Sequence, residues 1–422
     1  MSVPSVTGVV PRAARDNVSF LGADRDYWRL MLRGALLLMF TLGIYRFWLV
    51  TDMRRFQWSN TEVGGDSLEY TGTAFEILIG FLIAIALLVP IYSGFFFAAL
   101  DLGPLGRIAG VLSFVLLAFL GQFAVYRARR YRLTRTVYRG IRFRQTGSAW
   151  RYAVCAMFWW AMIIVTLGLA FPVAQARLER FKMNNTYYGD LAGEFHGEAR
   201  TLFWRGAPLW LLVVGPMIAG IAYGALRIDW GAAIAAATQD GDDVFARIEG
   251  ASPGFGAGVV IAILGCIWAI LAAMAVYPAF QALVLRWWLA GLRFGPVTTV
   301  SRVRTGQIYG IYMRLLGYSV LFSISAGIAG SLATGIYALL APIMPPLLGE
   351  ILVTAGLLVS YVVAALAYST IYQVIVKLGF WRVGANSLEL SGTAALDRVK
   401  AVGHPSSSIG EGLANALGVG GW

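Results

Sequence analysis

Charge is scarce in this sequence: 13% of its 422 residues are Asp, Glu, Lys or Arg, about half the roughly 25% of an ordinary soluble domain. With 58% apolar residues beside it, that deficit excludes a water-soluble globule and makes a bilayer the natural solvent. Histidine is scarcer still. His196 falls in a predicted β-hairpin and His404 in a polar tail, so neither a histidine metal cage nor a Ser-His triad is expected. Cys155 and Cys266 each stand alone in an apolar run, which excludes a disulfide framework and reads as packing. No Gly-rich loop ending in Lys-Ser or Lys-Thr is present, and Gly254, Gly256 and Gly258 precede an apolar stretch rather than follow a strand. No catalytic residue, metal or cofactor is therefore expected. Nor does a small-residue cleavage site follow the first apolar segment, which is expected to be retained.

What charge there is has one dominant sign. The formal net charge is +12, which in a membrane chain marks loops that face the cytoplasm and the anionic lipid head groups there. Membrane lipids are thus the expected partners. No nucleic-acid motif accompanies the charge, so nucleic acid is not an expected partner.

The sequence repeats itself. Displaced by 75 positions, Arg54, Arg55, Phe56, Thr61, Gly65 and Gly72 fall on Arg129, Arg130, Tyr131, Thr136, Gly140 and Gly147. Displaced by 125, Tyr27, Thr41, Leu42, Gly43, Arg55, Phe56, Asn60, Thr61, Gly64 and Gly72 fall on Tyr152, Thr166, Leu167, Gly168, Arg180, Phe181, Asn185, Thr186, Gly189 and Gly197. Weaker copies follow at Arg286, Trp287, Gly295 and Gly306, and at Gly384 with the Ser-Leu-Glu-Leu-Ser-Gly of 387–392, an echo of 67–72. Each of the five modules reads as a helix end rich in Arg and aromatics, then two short alternating stretches around a glycine, the chemistry of a β-hairpin.

The Thr-Leu-Gly-Ile-Tyr-x-x-Trp of 41–48, the Arg-Arg-Phe and Asn-Thr that follow, the Tyr-x-Gly ending at Gly72 and the Gly-Glu-Gly-Leu-Ala-Asn-Ala-Leu of 410–417 resemble the YjgN-like family of bacterial inner-membrane proteins, domain of unknown function 898. The resemblance spans nearly the whole chain and implies an architecture without an activity. Leu292 in the fourth module, in place of Thr, and Trp381 in the fifth depart from the pattern.

Apolar runs at 27–50, 74–100, 105–126, 149–173, 201–226, 255–280, 308–341 and 349–376 would make eight simple spans. Charge argues otherwise. The segment 126–150 carries eight Arg and no acid, and Arg177, Arg180 and Lys182 follow the next run. All basic segments share one face only if 149–173, and its repeat equivalent 27–50, enter and leave on the same side. The expected fold class is thus an all-α integral membrane protein, a polytopic helical bundle with internal repeats and small cytoplasmic β-hairpins. It would have six full spans plus two re-entrant or interfacial helices; the alternative keeps eight spans as inverted repeats.

Its expected parts are a cytoplasmic segment 1–26, a first repeat unit 27–147 with hairpins 54–72 and 129–147, a second 148–306 with hairpins 179–197 and 286–306, a third 307–392 with hairpin 379–392, and a flexible tail 393–422 with at most a short helix around Glu411–Leu417. Both termini are placed inside. The acidic 227–254, with Asp229, Asp240, Asp242, Asp243 and Glu249, is expected outside.

The candidate functional or structural residues are those of the repeated motif: Thr41, Gly43, Arg46, Trp48, Arg55, Thr61, Gly72, Arg129, Arg130, Thr136, Gly140, Thr166, Gly168, Arg180, Thr186 and Gly197. The arginines of 126–150 read either as a phosphate or anion site or, more plainly, as topological anchors on anionic lipid. Small-residue stripes, Gly220 with Gly224 and Ser323 through Gly335, read as helix-packing faces or as a narrow polar path. Transport or channel activity for a small molecule or lipid leads as a function. The alternatives are a scaffold without catalysis and a lipid-modifying enzyme.

Overall fold

The strands explain the rest of the molecule. In the computed structural model, which describes residues 15–101, 104–238, 243–402, 409–417 and 419, ten short strands close into a single barrel. In chain order, β1 (Arg15–Phe20) is followed by helices α1 (Asp24–Phe40) and α2 (Arg46–Ser59). Next come β2 (Thr61–Val63), β3 (Asp66–Tyr70), α3 (Ala74–Asp101), α4 (Pro104–Arg135), β4 (Thr136–Tyr138) and β5 (Ile141–Gln145). Then α5 (Ala149–Val165), α6 (Phe171–Asn184), β6 (Thr186–Tyr188) and β7 (Leu191–Phe195) precede α7 (Ala199–Arg227), α8 (Trp230–Ala237), α9 (Val244–Ala251) and α10 (Phe255–Gly291). Last come β8 (Leu292–Phe294), β9 (Val297–Ser301), α11 (Thr305–Leu340), α12 (Pro346–Tyr372), a π turn (Gln373–Lys377), α13 (Leu378–Asn386), β10 (Leu388–Ser391) and α14 (Ile409–Ala416).

The expected all-α bundle with separate small hairpins is corrected here. Each hairpin would leave two unpaired strand edges, and lateral pairing removes them all. β1 pairs with both β10 and β2 and so closes the ring. The register is stepped. Asp66 and Ser67 of β3 pair with β2 while Leu68–Tyr70 pair with β4, and β5 and β7 repeat the step. A three-residue strand is therefore enough, since each five-residue strand bridges two neighbours.

The turns follow local chemistry. Two-residue connections join the hairpins, with positive φ at Gly64 and Gly65 and at Arg139 and Gly140, the pattern of a type I′ turn. At Gly189 and Gly295 only the first position is positive, the type II′ pattern that lets Pro296 stand second.

The N-terminal segment contributes to the same barrel. The stretch read as a fifth hairpin, 379–392, is mostly helix and holds one strand, β10, whose partner is β1 from the other chain end. One hydrogen bond recurs around the ring. The arginine six residues before a strand reaches the carbonyl two residues beyond the end of the following strand: Arg55 to Gly72 (3.2 Å), Arg130 to Gly147, Arg180 to Gly197 (3.3 Å) and Arg286 to Val303 (2.9 Å). The fifth is Arg382 to Gly22 (2.9 Å), bridging the two chain ends.

Every excursion from the barrel returns to the neighbouring strand. The helices α1 and α2 lie between β1 and β2, α3 and α4 between β3 and β4, and α5 and α6 between β5 and β6. Neither 27–50 nor 149–173 is one helix. At the first break Leu42 and Gly43 have φ of 50° and 90°, and at the second Leu167 and Gly168 have 51° and 93°. Thr41 Oγ1 donates to Leu37 O (2.7 Å) and accepts from Tyr45 N (3.0 Å); Thr166 Oγ1 does the same with Met162 O (2.7 Å) and Ala170 N (3.0 Å). The hydroxyl thus satisfies backbone groups that the break frees. Apolar side chains face outward at both breaks, Leu42 93% exposed and Leu167 55%.

Among the described residues six helices are long and apolar enough to cross a membrane, within α3, α4, α7, α10, α11 and the run from Pro346 to Asn386; the α5 helix is apolar but shorter. At about 1.5 Å per residue its 17 residues reach about 25 Å, short of a core about 30 Å thick. Six apolar membrane-length helices make this a membrane protein.

The chain divides into two compact units. The smaller comprises Ala199–Leu285 and Arg304–Tyr309. Within it α7 and α10 approach backbone to backbone: a Cβ on Gly224 would lie 2.5 Å from Gly258 O, and one on Gly220 3.1 Å from Ile261 O. Asp229 and Asp243 of the acidic connection cap α8 and α9, accepting from Ala232 N (3.1 Å) and Ala246 N (3.0 Å). Gly224→Val is expected to cost about 1–3 kcal/mol through overpacking. On α11 of the larger unit, Gly327→Val, with nothing within 4 Å of an added Cβ, is expected to cost none. Thermal unfolding of the two variants in detergent checks this pair.

Candidate functional site

At the ends of three helices, the positions seven and four residues before the strand-opening residue carry the chemistry. On α2 they are Arg54 and Gln57, on α4 Arg129 and Arg132, on α6 Glu179 and Lys182. One turn apart on a helix, the two lie on one face, and here that face is turned inward. Arg54, Gln57, Arg132 and Glu179 are all buried. The six belong to the larger unit, and the three helix ends bring them together around the helix-side opening of the barrel.

The centre is a connected set. Arg54 pairs with Glu411 of α14 and donates to Tyr70 Oη (3.0 Å). Glu179 pairs with Lys182 and accepts from Trp288 Nε1 (3.0 Å). Arg129 and Arg132 lie between these pairs, Arg132 within electrostatic reach of Arg54, Glu411 and Arg129, and Arg129 of Glu179. Lys377 of the π turn, four strands round the barrel from β4, also reaches Arg132.

Charge states follow from these neighbours. Burial opposes ionisation of Arg54, but the Glu411 carboxylate and the Tyr70 hydroxyl outweigh it, so its pKa stands above the ordinary guanidinium value. Burial likewise opposes the Glu179 carboxylate, yet Lys182, Arg129 and the Trp288 indole hold its pKa below the usual carboxylate value. Lys182 is lowered, first by burial and further by Arg129 and Arg132. Among the described residues Arg54, Arg129, Arg132, Lys182 and Lys377 thus gather with two carboxylates, Glu179 and Glu411. Among the described residues Gln57 Nε2 and Glu411 Oε2, both buried there, have no hydrogen-bond partner.

The segment read as a flexible tail provides part of this site. Glu411 is 0% exposed. Gly412 packs against the backbone of Gly80, and Leu413 and Ala414 against Ala84, Ala124 and Ala128 on α3 and α4. Asn415 O accepts from Arg46 (3.4 Å). Upstream, Lys400 N donates to Asp190 Oδ1 (3.0 Å) and Asp397 pairs with Arg139 (2.6 Å), both at the turn end of the barrel. His404 lies outside the described residues; His196 pairs with Glu194 (2.8 Å).

Of the sixteen motif residues, only Arg129 belongs to the charged centre. Arg46 touches it from outside through Asn415. Trp48 stacks with Tyr45 and packs on Phe75. Thr41, Gly43, Thr166 and Gly168 form the helix breaks, and Arg55, Gly72, Arg130, Arg180 and Gly197 the recurring arginine bond. Thr61, Thr136 and Thr186 open strands, each hydroxyl donating to the carbonyl four residues back, and Gly140 turns a hairpin. The signal for the centre lay beside them: the repeat offsets bring Gln57 onto Arg132 and Lys182, polar residues that differ between modules.

Neither a curated protein nor a solved structure matches the chain. Residues 15–416 match a family described as bacterial protein of unknown function, DUF898, and the chain belongs to that family.

Proposed function

We propose that this protein is a transporter or channel of the bacterial cytoplasmic membrane, with the barrel and both chain ends on the cytoplasmic side. The observation that carries the reading is the buried cluster of charged side chains where helix ends meet the mouth of a closed barrel. Ionisable groups inside a membrane protein are costly and mark pathways or binding sites. Reconstitution in liposomes tests it. Flux of a small anion above that of protein-free vesicles is expected, and the absence of flux for every small anion and zwitterion tried would sink the reading.

Orientation rests on the arginines of 126–150, which sit at the barrel and favour the cytoplasmic face and its anionic head groups. Single cysteines at the exposed Ser59, Asn184 and Arg302, in a chain lacking Cys155 and Cys266, should resist an impermeant thiol reagent applied to spheroplasts. One at the exposed Thr238, between α8 and α9, should react. The reverse pattern would invert the topology.

A scaffold is the second reading. It is favoured by α11, where Gly327, Gly330 and Gly335 would each meet nothing within 4 Å on gaining a Cβ, a small-residue face suited to another helix.

A further inference from the structure

We infer that the outward face of α1 holds an anionic phospholipid, its head group against Arg25, Arg29 and Arg33 and its acyl chains along Leu32, Leu36 and Phe40. The inference goes beyond the transport reading and stands on a different part of the molecule.

Helix geometry builds the face. Positions 25, 29, 32, 33, 36 and 40 recur at helical spacing and so fall on one side of α1, and all are exposed. The opposite side is seated in the protein, with Tyr27, Met31 and Gly34 buried. Along the outward side the chemistry changes from end to end. Arginines occupy the half nearer β1, and apolar side chains the half nearer the break at Leu42, which is the order of a phospholipid from head group to chains. The apolar part, from Gly34 to Phe40, rises about 10 Å and fits within one leaflet of a core about 30 Å thick. Long side chains on a helix lean toward its N-terminal end, so Arg29 and Arg33 reach back to the head-group level. Among the described residues Arg29 alone of the three has an ion-pair partner, Asp26 at 3.9 Å, and with side chains 65% and 61% exposed that pair is weak. The planar guanidinium forks match phosphate oxygens in pairs.

The second module is an internal comparison. Displaced by 125 positions, Tyr27 and Met31 fall on Tyr152 and Ala156, which are buried in the same way on α5. The outward side differs. Arg25, Arg29 and Arg33 fall on Trp150, Val154 and Phe158, all exposed, and Arg151, in the place of Asp26, is the only charge on α5. The same helix-break-helix element therefore forms without arginine at these three positions, and hydrocarbon as solvent favours the apolar residues that α5 carries there. Neither the fold nor the bilayer interior accounts for the three arginines of α1, and an anionic head group does.

The test uses the full chain in nanodiscs, with Cys155 and Cys266 replaced by Ser and a bimane dye on one cysteine at either of two equivalent exposed positions, Leu36→Cys on α1 or Ala161→Cys on α5. Phosphatidylglycerol or phosphatidylcholine brominated on its acyl chains quenches the dye it lies beside. Each basic residue near the surface gives about a fivefold preference for anionic lipid. At Leu36→Cys, phosphatidylglycerol should therefore reach half-quenching at a mole fraction about tenfold or more below that of phosphatidylcholine, and R25Q/R29Q/R33Q should remove the difference. At Ala161→Cys the preference should be about fivefold at most, and V154R/F158R should raise it. Trp150 stays in place because it packs on Phe119 and Phe123. The gain on α5 decides the matter if the glutamine variant fails to assemble. Inorganic phosphate should leave the quenching unchanged; relief by it would show a site for a soluble anion and overturn the lipid. Equal preference at the two reporters of the unaltered chain, or a preference that neither set of substitutions alters, overturns the inference, since general surface charge would then explain the binding.

Discussion

Arg54→Met is expected to destabilise the protein by about 3–5 kcal/mol, the cost of leaving a buried carboxylate without its partner. Glu411 is fully buried and pairs with Arg54, and its other oxygen has no hydrogen-bond partner. Methionine fills a similar length without charge. The double variant Arg54→Met with Glu411→Leu should recover most of the loss, since removing both charges also removes both desolvation penalties. Thermal unfolding in detergent, followed by helical circular dichroism, reads all three chains. Equal stability of wild type and Arg54→Met would show that the pair does not form. Additive losses in the double variant would show that the two residues act independently.

The same pair shows what the sequence could and could not reveal. Apolar runs of membrane length were plain because hydrophobicity is a local property, and the six long helices occupy six of the eight runs. The two helix breaks were legible for a local reason too, since Thr and Gly within an apolar run provide the hydroxyl and the positive φ that a break needs. The hairpin turns were legible from Gly64, Gly65, Gly140 and Gly189. Barrel closure was not. Pairing between β3 and β4 joins residues separated by a long helical hairpin, and the strands concerned are only five and three residues long. The closing strand, Arg15–Phe20, is polar at four of its six residues and carries no turn of its own. The charged centre escaped for the opposite reason. Repetition drew the eye to residues alike in each module, and Arg55, Arg130 and Arg180 are alike because each makes the same backbone bond. The centre is built from positions that differ, Gln57, Arg132 and Lys182, whose meaning appears only when the ring brings them together. Glu411 lay in a segment rich in Gly and Ser, a composition that argues for disorder, yet small residues are what a helix needs to enter a crowded seat.

Deleting residues 1–20 is expected to abolish stable assembly. The deletion removes β1, all six residues of which pair with a neighbour: Arg15, Asp16 and Asn17 with β10, and Val18, Ser19 and Phe20 with β2. At about 1 kcal/mol for each paired residue and about 2 kcal/mol for each of the buried Val18 and Phe20, the loss is on the order of 10 kcal/mol. That is comparable to the entire stability of a typical domain. It also opens two strand edges, on β2 and β10, and edges invite pairing with other chains. Arg382→Ala is the milder probe, because it removes the bond from Arg382 to Gly22 and the ion pair with Asp24 while leaving β1 in place. Backbone hydrogen exchange distinguishes the causes. In the truncated chain the amides of Thr61–Val63 and Leu388–Ser391 should lose protection together, although hundreds of residues separate them, because one strand protects both. In Arg382→Ala they should exchange faster while the Val137 and Tyr187 amides of the neighbouring hairpins stay slow. If the truncated protein accumulates in the membrane at wild-type level with both segments protected, β1 does not close the barrel, and the ring is held by the other four hairpins alone.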